Sequence, residues 1–240
     1  MKKLNSDKHT FVKETFNAIA GHYDGMNTLM SLGRDQHWRA LAVEYVRAKP
    51  QDSVLDVCCG TGKLVLSLTQ AVGEHGQVTG VDFSEKMLSI AQQRLHPLIE
   101  NGQVSLLQGD ALDLPFADRS FDGVTIGWGL RNLPDLHLGL QELIRVVEPG
   151  GWVVSLDMAK PDFPVFKQAY WFYFERWIPF MGAIWGKKRS AYQYLHDSAR
   201  DFPSQQVLAQ MFAEHGLKET GYKNLMGGAI ALVFGCKGTD

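Results

Sequence analysis

Two carboxylates and a pair of glycines carry the first chemical signal in the chain. Val54-Leu55-Asp56-Val57-Cys58-Cys59-Gly60-Thr61-Gly62-Lys63 is a largely apolar run broken by one acid and followed by Gly-x-Gly. It reads as a buried strand entering a tight turn and then a helix. Gly60 and Gly62 let the backbone approach a ligand closely, and a helix start at Gly62 offers N–H groups that have no intrahelical partner. A second apolar run, Val78-Thr79-Gly80-Val81-Asp82, ends in a carboxylate placed to accept hydrogen bonds from a ribose diol. An acid about twenty residues beyond a glycine turn marks a pocket for a nucleoside-bearing cofactor. Asp56, ahead of the glycines, would stand near a positively charged amino or sulfonium group, or would only organise backbone N–H groups.

The spacing also excludes cofactors. A dinucleotide fingerprint requires Gly-x-Gly-x-x-Gly, and Val65 occupies the third glycine's place. No Gly-x-x-x-x-Gly-Lys-Ser/Thr is present, so an ATPase-type phosphate loop is not supported. Phe83, directly after Asp82, and Asp110-Ala111, at the end of a third apolar run, are expected to border the base, although Gly-Asp also makes ordinary turns. Beyond a fourth run lies Gly127-Trp128-Gly129-Leu130-Arg131-Asn132. Gly127 permits close approach there. Arg131 and Asn132 could contact an oxyanion or position a water, unless Arg131 pairs with Asp135 on the surface. His22 and Tyr23 are further candidates for proton transfer.

The elements that must position these groups alternate regularly. Strands are expected over 54–58, 78–83, 104–107, 121–126 and 152–156, and helices over 62–72, 84–95 (capped by Ser84) and 136–147 (capped by Asp135). Glu148-Pro149-Gly150-Gly151 is expected to separate the last helix from its strand. Strands alternating with helices imply right-handed crossovers and a parallel sheet covered on both faces. A helix over 205–215, ended by Gly216, and strands over 218–225 and 229–236 then suggest an antiparallel C-terminal hairpin. Before the first strand, residues 1–50 read as a helical cap: a helix over 10–20 stopped at Gly21, a turn over Tyr23–Asn27, and one or two more helical stretches. Residues 160–203 read as an insertion rich in aromatics, among them Phe163, Tyr170, Trp171, Trp177 and Trp185, followed by Lys187-Lys188-Arg189. Such a segment packs as an ordinary helix or receives a greasy substrate or a membrane surface.

Composition sets the frame. A chain of 240 residues with net charge -2 and 45% hydrophobic residues is sized for a single α/β domain over 1–240, and nothing in it suggests a nucleic-acid partner. Three cysteines, Cys58 and Cys59 adjacent and Cys236 distant, form no secreted disulfide framework. No metal site is expected, and a cytoplasmic location is. No apolar run reaches membrane-spanning length.

Asp-x-x-x-Gly-x-Gly resembles the first motif of the class I S-adenosylmethionine-dependent methyltransferases. More of the chain resembles one branch of them. Phe16-Asn17-x-Ile19-Ala20-x-x-Tyr23-Asp24-x-Met26-Asn27, Leu29-Met30-Ser31-Leu32-Gly33, the Asp56–Gly62 stretch, Gly127–Asn132 and Asp201-Phe202-Pro203 are similar to the quinone-biosynthesis C-methyltransferases, especially the menaquinone branch. Lys63 departs from an acid often found beside the glycines, and Leu225–Gly228 is looser than the family's closing motif.

The resemblance implies a seven-stranded, mostly parallel sheet with helices on both faces. It implies S-adenosyl-L-methionine touching Thr61, Asp82, Asp110 and Ala111, and Arg131 and Asn132 at the substrate end. The implied reaction is C-methylation of demethylmenaquinol. A polyprenyl benzoquinol, another lipophilic phenol, and a non-catalytic adenosyl-binding partner are the alternatives. A homodimer and transient contact with the inner face of the cell membrane are the associations it leaves to test.

Overall fold

The computed structural model describes residues 2–161, 194 and 197–239, with side chains from residue 10 onward. Among these residues, strands β1 (Ser53–Val57), β2 (Gln77–Asp82), β3 (Val104–Gln108), β4 (Phe121–Gly127), β5 (Val147–Met158), β6 (Leu217–Leu225) and β7 (Ile230–Lys237) form one sheet in the order β3-β2-β1-β4-β5-β7-β6. The first five run parallel, and β7 is antiparallel to both β5 and β6. Helices α1 (Lys2–Met30), α2 (Asp35–Val46), α3 (Lys63–Val72), α4 (Glu85–Glu100), α5 (Leu136–Val146) and α6 (Gln205–Glu214) connect and cover it.

Burial on both faces explains the continuous apolar strands. In β1, Leu55 and Val57 enter a core shared with Leu140 and Leu143 of α5 and Phe212 of α6. Val54 enters the opposite core with Trp38 and Val46 of α2 and Val65 and Leu68 of α3. The expected caps form. The Ser84 hydroxyl accepts from the Met87 N–H at 3.2 Å and the Asp135 carboxylate from the Leu138 N–H at 3.0 Å. Each such cap contributes about 1 kcal/mol. Gly216 follows α6 at φ 93°, a left-handed step that suits glycine.

Three expectations are corrected. α1 does not stop at Gly21 or turn at Tyr23; it is one helix to Met30. A Cβ at Gly21 or Gly25 would meet nothing within 4 Å, so neither glycine serves a close approach. Their helix cost, about 1 kcal/mol each, is tolerated because Val12 and Ala20 are buried and Phe16 meets Tyr23 and Phe83 edge-on. The chain turns instead at Ser31–Arg34, with Leu32 at φ 52° and Gly33 at φ 77°. β1 ends one residue earlier than expected, because Cys58 sits at φ 56°. Finally, Glu148–Gly151 is not a separating loop but a bulge inside β5, whose pairing with β4 jumps from Phe121–Val147 to Gly123–Trp152.

The aromatic residues 163–185 and the cations 187–189 lie outside the described residues. Among those described, no helix is long and apolar enough to cross a membrane.

The two glycines of the turn differ in what surrounds them. Gly60, at φ 55°, has nothing within 4 Å of a Cβ position, whereas a Cβ on Gly62, at φ 78°, would lie 2.7 Å from Leu95 Cδ1 and 3.1 Å from Ala91 Cβ. Gly62 therefore seats α3 against α4. Gly62→Ala is expected to lower unfolding stability by about 1–3 kcal/mol through overpacking added to the left-handed strain. Gly60→Ala is expected to lose only the strain, about 1 kcal/mol. Urea denaturation of both variants checks this, and equal losses would contradict it.

Candidate functional site

The carboxyl ends of β1 to β4 open into one cavity, about 680 Å³ of empty space when the open solvent in front of it is included. It lies at the point where the strand order reverses between β1 and β4, the place where open α/β sheets bind ligands. Each strand end contributes wall: Cys58 and Gly60, Asp82 and Phe83, Asp110 and Ala111, Gly127 and Trp128. Asn132 closes one side, and Val12, Phe16 and Tyr23 of α1 lie over the top.

Asp82 is the best-anchored group in this wall. Its Oδ2 accepts from the Gly60 N–H at 2.8 Å and its Oδ1 from the Ser84 N–H at 2.8 Å. Burial pushes its carboxyl up to about 6, against the opposing pull of the Ser84, Gly60 and Phe83 N–H groups. An ionised carboxylate has about four acceptor sites, so these backbone N–H groups leave acceptor capacity toward a ribose hydroxyl. Phe83 lies beside it, with Phe16 of α1 edge-on at 6.4 Å between ring centroids. At the β3 end, Asp110 Oδ1 accepts from the Leu112 N–H at 3.0 Å, which fixes the turn that presents Ala111 to the cavity.

The glycine turn divides its roles. Gly60 lines the cavity, but Gly62 and Thr61 do not. Gly62 packs against α4, as described above. The Thr61 hydroxyl is buried and donates to Asp24 Oδ1 of α1 at 2.7 Å, so its side chain points away from the ligand space. Asp56 is corrected as well. Strand alternation turns it to the α2 side of β1, where it is 1% exposed and accepts from Thr125 Oγ1 at 2.7 Å. It lies outside the cavity wall, and burial pushes its carboxyl up to about 7.

Two non-glycine residues of the wall, Cys58 and Trp128, adopt left-handed backbone at φ 56° and 54°. Strain of this kind, costing about 1–3 kcal/mol per residue, concentrates at functional sites. The packing between them is tight: a Cβ on Gly129 would lie 2.8 Å from Cys58 Cβ and 2.9 Å from its Sγ. Burial pushes the Cys58 thiol well up, so it remains protonated.

Among the four proton-transfer and oxyanion candidates, the structure separates neighbours. Tyr23 lines the cavity, but His22 is exposed and does not; adjacent helical residues point about 100° apart. Asn132 lines the cavity, donates from Nδ2 to Trp128 O at 2.8 Å and accepts at Oδ1 from the Tyr194 hydroxyl at 3.0 Å. Arg131 stands behind this wall rather than in it. It pairs not with Asp135, which caps α5, but with buried Asp157 of β5, Nη1 to Oδ1 at 2.6 Å. Nη1 also donates to Trp128 O at 2.8 Å.

Burial alone would lower the Arg131 pKa. Asp157, Tyr23 and Tyr194 together more than offset this, and Arg131 is held as a fixed cation. Burial raises the Tyr23 hydroxyl, with Arg131 the foremost opposing influence and Asp157 the weakest contribution. The net field of the ion pair at Tyr23 therefore favours negative charge. Burial likewise pushes Tyr194 up to about 12. Sequence reading gave Asp24, Asp157 and Tyr194 no role, because their partners lie 26 to 70 residues away.

The residues present fit an adenosyl sulfonium cofactor. A ribose can reach the acceptors left on Asp82, a planar base the space beside Phe83 and Ala111, and an extended chain the open side of Gly60.

Known proteins resemble this chain across its length. The model of the ubiE/COQ5 methyltransferase family matches residues 1–237. A demethylmenaquinone methyltransferase of Desulfitobacterium hafniense is 60% identical over 231 residues, covering 96% of this chain and 91% of that protein. The Bacillus subtilis protein of the same name is 41% identical over 237 residues, covering 98% and 100%. Among solved structures, a Thermotoga maritima S-adenosylmethionine-dependent methyltransferase, described as a possible histamine N-methyltransferase, superposes with a TM-score of 0.67 at 19% identity over 94% of this chain and 99% of that one. An Aquifex aeolicus S-adenosylmethionine-dependent methyltransferase does so with 0.58 at 18% identity, over 82% and 88%. These two likenesses identify the fold as that of the class I methyltransferases.

Two outcomes follow from the buried acids. Protonating Asp82 removes an acceptor, so S-adenosylhomocysteine affinity should fall by up to about tenfold per pH unit below about 6, a window in which the ligand's amino and carboxyl groups do not titrate. In calorimetric titrations Asp82→Asn should be weak and flat across the window, while Asp56→Asn should keep the parent's slope. A parent affinity constant from pH 7 to 5 would contradict the role given to Asp82.

Asp56 affects stability with the opposite requirement. Its folded pKa of about 7 exceeds the ordinary value of 3.8, so the folded state binds the extra proton between those limits. Stability is lost as pH rises through that window. Asp56→Asn should therefore gain stability relative to the parent as pH increases from about 4 to 7, by a few kcal/mol at most. A difference independent of pH in thermal melts would refute this.

Proposed function

The chain belongs to the ubiE/COQ5 methyltransferase family and is an S-adenosylmethionine-dependent methyltransferase, and from that premise we propose that its acceptor is demethylmenaquinol, methylated at a ring carbon to give menaquinol. The observation that carries this reading is the 60% identity, over 96% of the chain, to a protein named for that reaction. The apolar roof of the cavity, Val12 and Phe16, supports it, because a quinol ring needs apolar walls with a few polar groups to orient it.

Bound against Asp82, S-adenosylmethionine supplies a sulfonium methyl whose leaving group departs as a neutral thioether. The chain's task is to present a nucleophilic carbon to it. At a quinol hydroxyl near Tyr23 and Asn132 the Arg131–Asp157 pair offsets part of the burial cost of negative charge, which favours phenolate character there over a site without the pair. That charge makes the adjacent ring carbon the nucleophile. The methyl would pass to this carbon as the carbon–sulfur bond gives its electron pair to sulfur, and the ring proton would then leave to water. Asn132, fixed between Trp128 O and the Tyr194 hydroxyl, is oriented to hold the acceptor or that water. Arg131 stays protonated and acts through its field.

Incubation with methyl-labelled S-adenosylmethionine and demethylmenaquinol should place label in the menaquinol fraction, with one methyl on the ring by mass spectrometry. Label found only when a polyprenyl benzoquinol or a small phenol replaces it would overturn the substrate assignment.

A further inference from the structure

α1 carries two adjacent stripes. Val12, Phe16 and Tyr23 face the cavity, and Lys13, Asn17 and Asp24, each one position later, face α4 and the glycine turn. The second stripe is polar throughout. Asn17 Oδ1 accepts from the Ser84 hydroxyl at 2.7 Å, next to the Asp82–Phe83 wall. Asp24 accepts from Thr61 Oγ1 at 2.7 Å and from Arg94 Nη2 of α4 at 2.6 Å. Arg94 Nη1 also donates to the Thr61 carbonyl, which closes a ring of contacts over the glycine turn. Lys13 stands 3.7 Å from Glu85, and Lys63 3.9 Å from Asp24.

Thr61 and Ser84 are buried, but the charged part of this ring is reachable by water. Asp24, Lys63 and Arg94 line an open groove on the outer side of α1, and their side chains are 24%, 24% and 26% exposed. α1 is also held by Val12 and Ala20, which are buried, but its remaining pins are hydrogen bonds and ion pairs that solvent can replace. At the same time α1 lies over the space that the cofactor must enter.

We infer that α1 is a releasable cover of the cofactor pocket, and that Asp24 on Thr61 and Arg94, with Asn17 on Ser84, are the positioning residues that set how fast the cofactor enters and leaves. The anchors fall on the glycine turn and on the turn after β2, the two segments that Asp82 also joins. Closing the cover and assembling the ribose site are therefore one event. The inference rests on the cofactor and not on the acceptor, so its test needs no quinol.

Radiolabelled S-adenosylhomocysteine bound to the full chain and chased with unlabelled ligand reads the dissociation rate. Asp24→Ala should release it at least tenfold faster than the parent, and Asn17→Ala at least threefold faster. In the parent the rate should rise with ionic strength, because the Asp24–Arg94 pair is screened by salt. In Asp24→Asn, which keeps an acceptor for Thr61 but loses the charge, that salt dependence should largely disappear. A merely structural loss would not remove it. Rates within twofold of the parent for both Asp24→Ala and Asn17→Ala would overturn the inference, as would a parent rate indifferent to salt. If Asp24→Ala does not fold, Asn17→Ala and Asp24→Asn decide it.

Discussion

One carboxylate ties the site together. Asp82 holds the Gly60 N–H on one side and the Ser84 N–H on the other, so the turn after β1 and the turn after β2 share a single acceptor. A carboxylate buried this deeply carries a desolvation penalty, visible in its pKa of about 6, and its backbone partners offset only part of it. Hydrogen bonds from a ribose would offset more. The pocket is thus incomplete in an energetic sense until such a ligand arrives, which is how a binding site stores selectivity for donors in that position.

The acceptor side is built on a different principle. Arg131 does not touch the cavity; it is locked by Asp157 and the Trp128 carbonyl and acts on Tyr23 through the intervening wall. A buried guanidinium without a partner would be very costly, and the ion pair offsets part of that cost while leaving a residual field at the tyrosine. Asn132 is fixed by the same carbonyl, so one strained residue, Trp128 at φ 54°, orients both. Preorganised dipoles of this kind need no rearrangement as charge develops in the transition state.

Much of this was legible in the residues and some was not, for identifiable reasons. Asp82, Phe83, Asp110, Ala111, Gly60 and Gly127 all sit in the wall where strand ends and spacing placed them. Gly60 and Gly62 look alike in a motif, yet Leu95 and Ala91, far along the chain, decide that only the first faces the ligand space. Asp56 fails because a period of two turns it toward α2. His22 fails through helix phase: reading Gly21 as a stop hid that α1 continues and that only one of two neighbours can face inward. The motif offers Arg131 an oxyanion in the site, or nearby Asp135 as the alternative, whereas the carboxylate that folding brings to it lies 26 residues on and holds it behind the wall.

The most direct measurement is a crystal structure of the chain with S-adenosylhomocysteine. The account predicts both ribose hydroxyls within hydrogen-bond distance of the Asp82 carboxylate, the adenine beside Phe83 and Ala111, and the sulfur turned toward Tyr23 and Asn132. A ligand whose ribose lies away from Asp82, or whose sulfur points away from the Tyr23 wall, would contradict it.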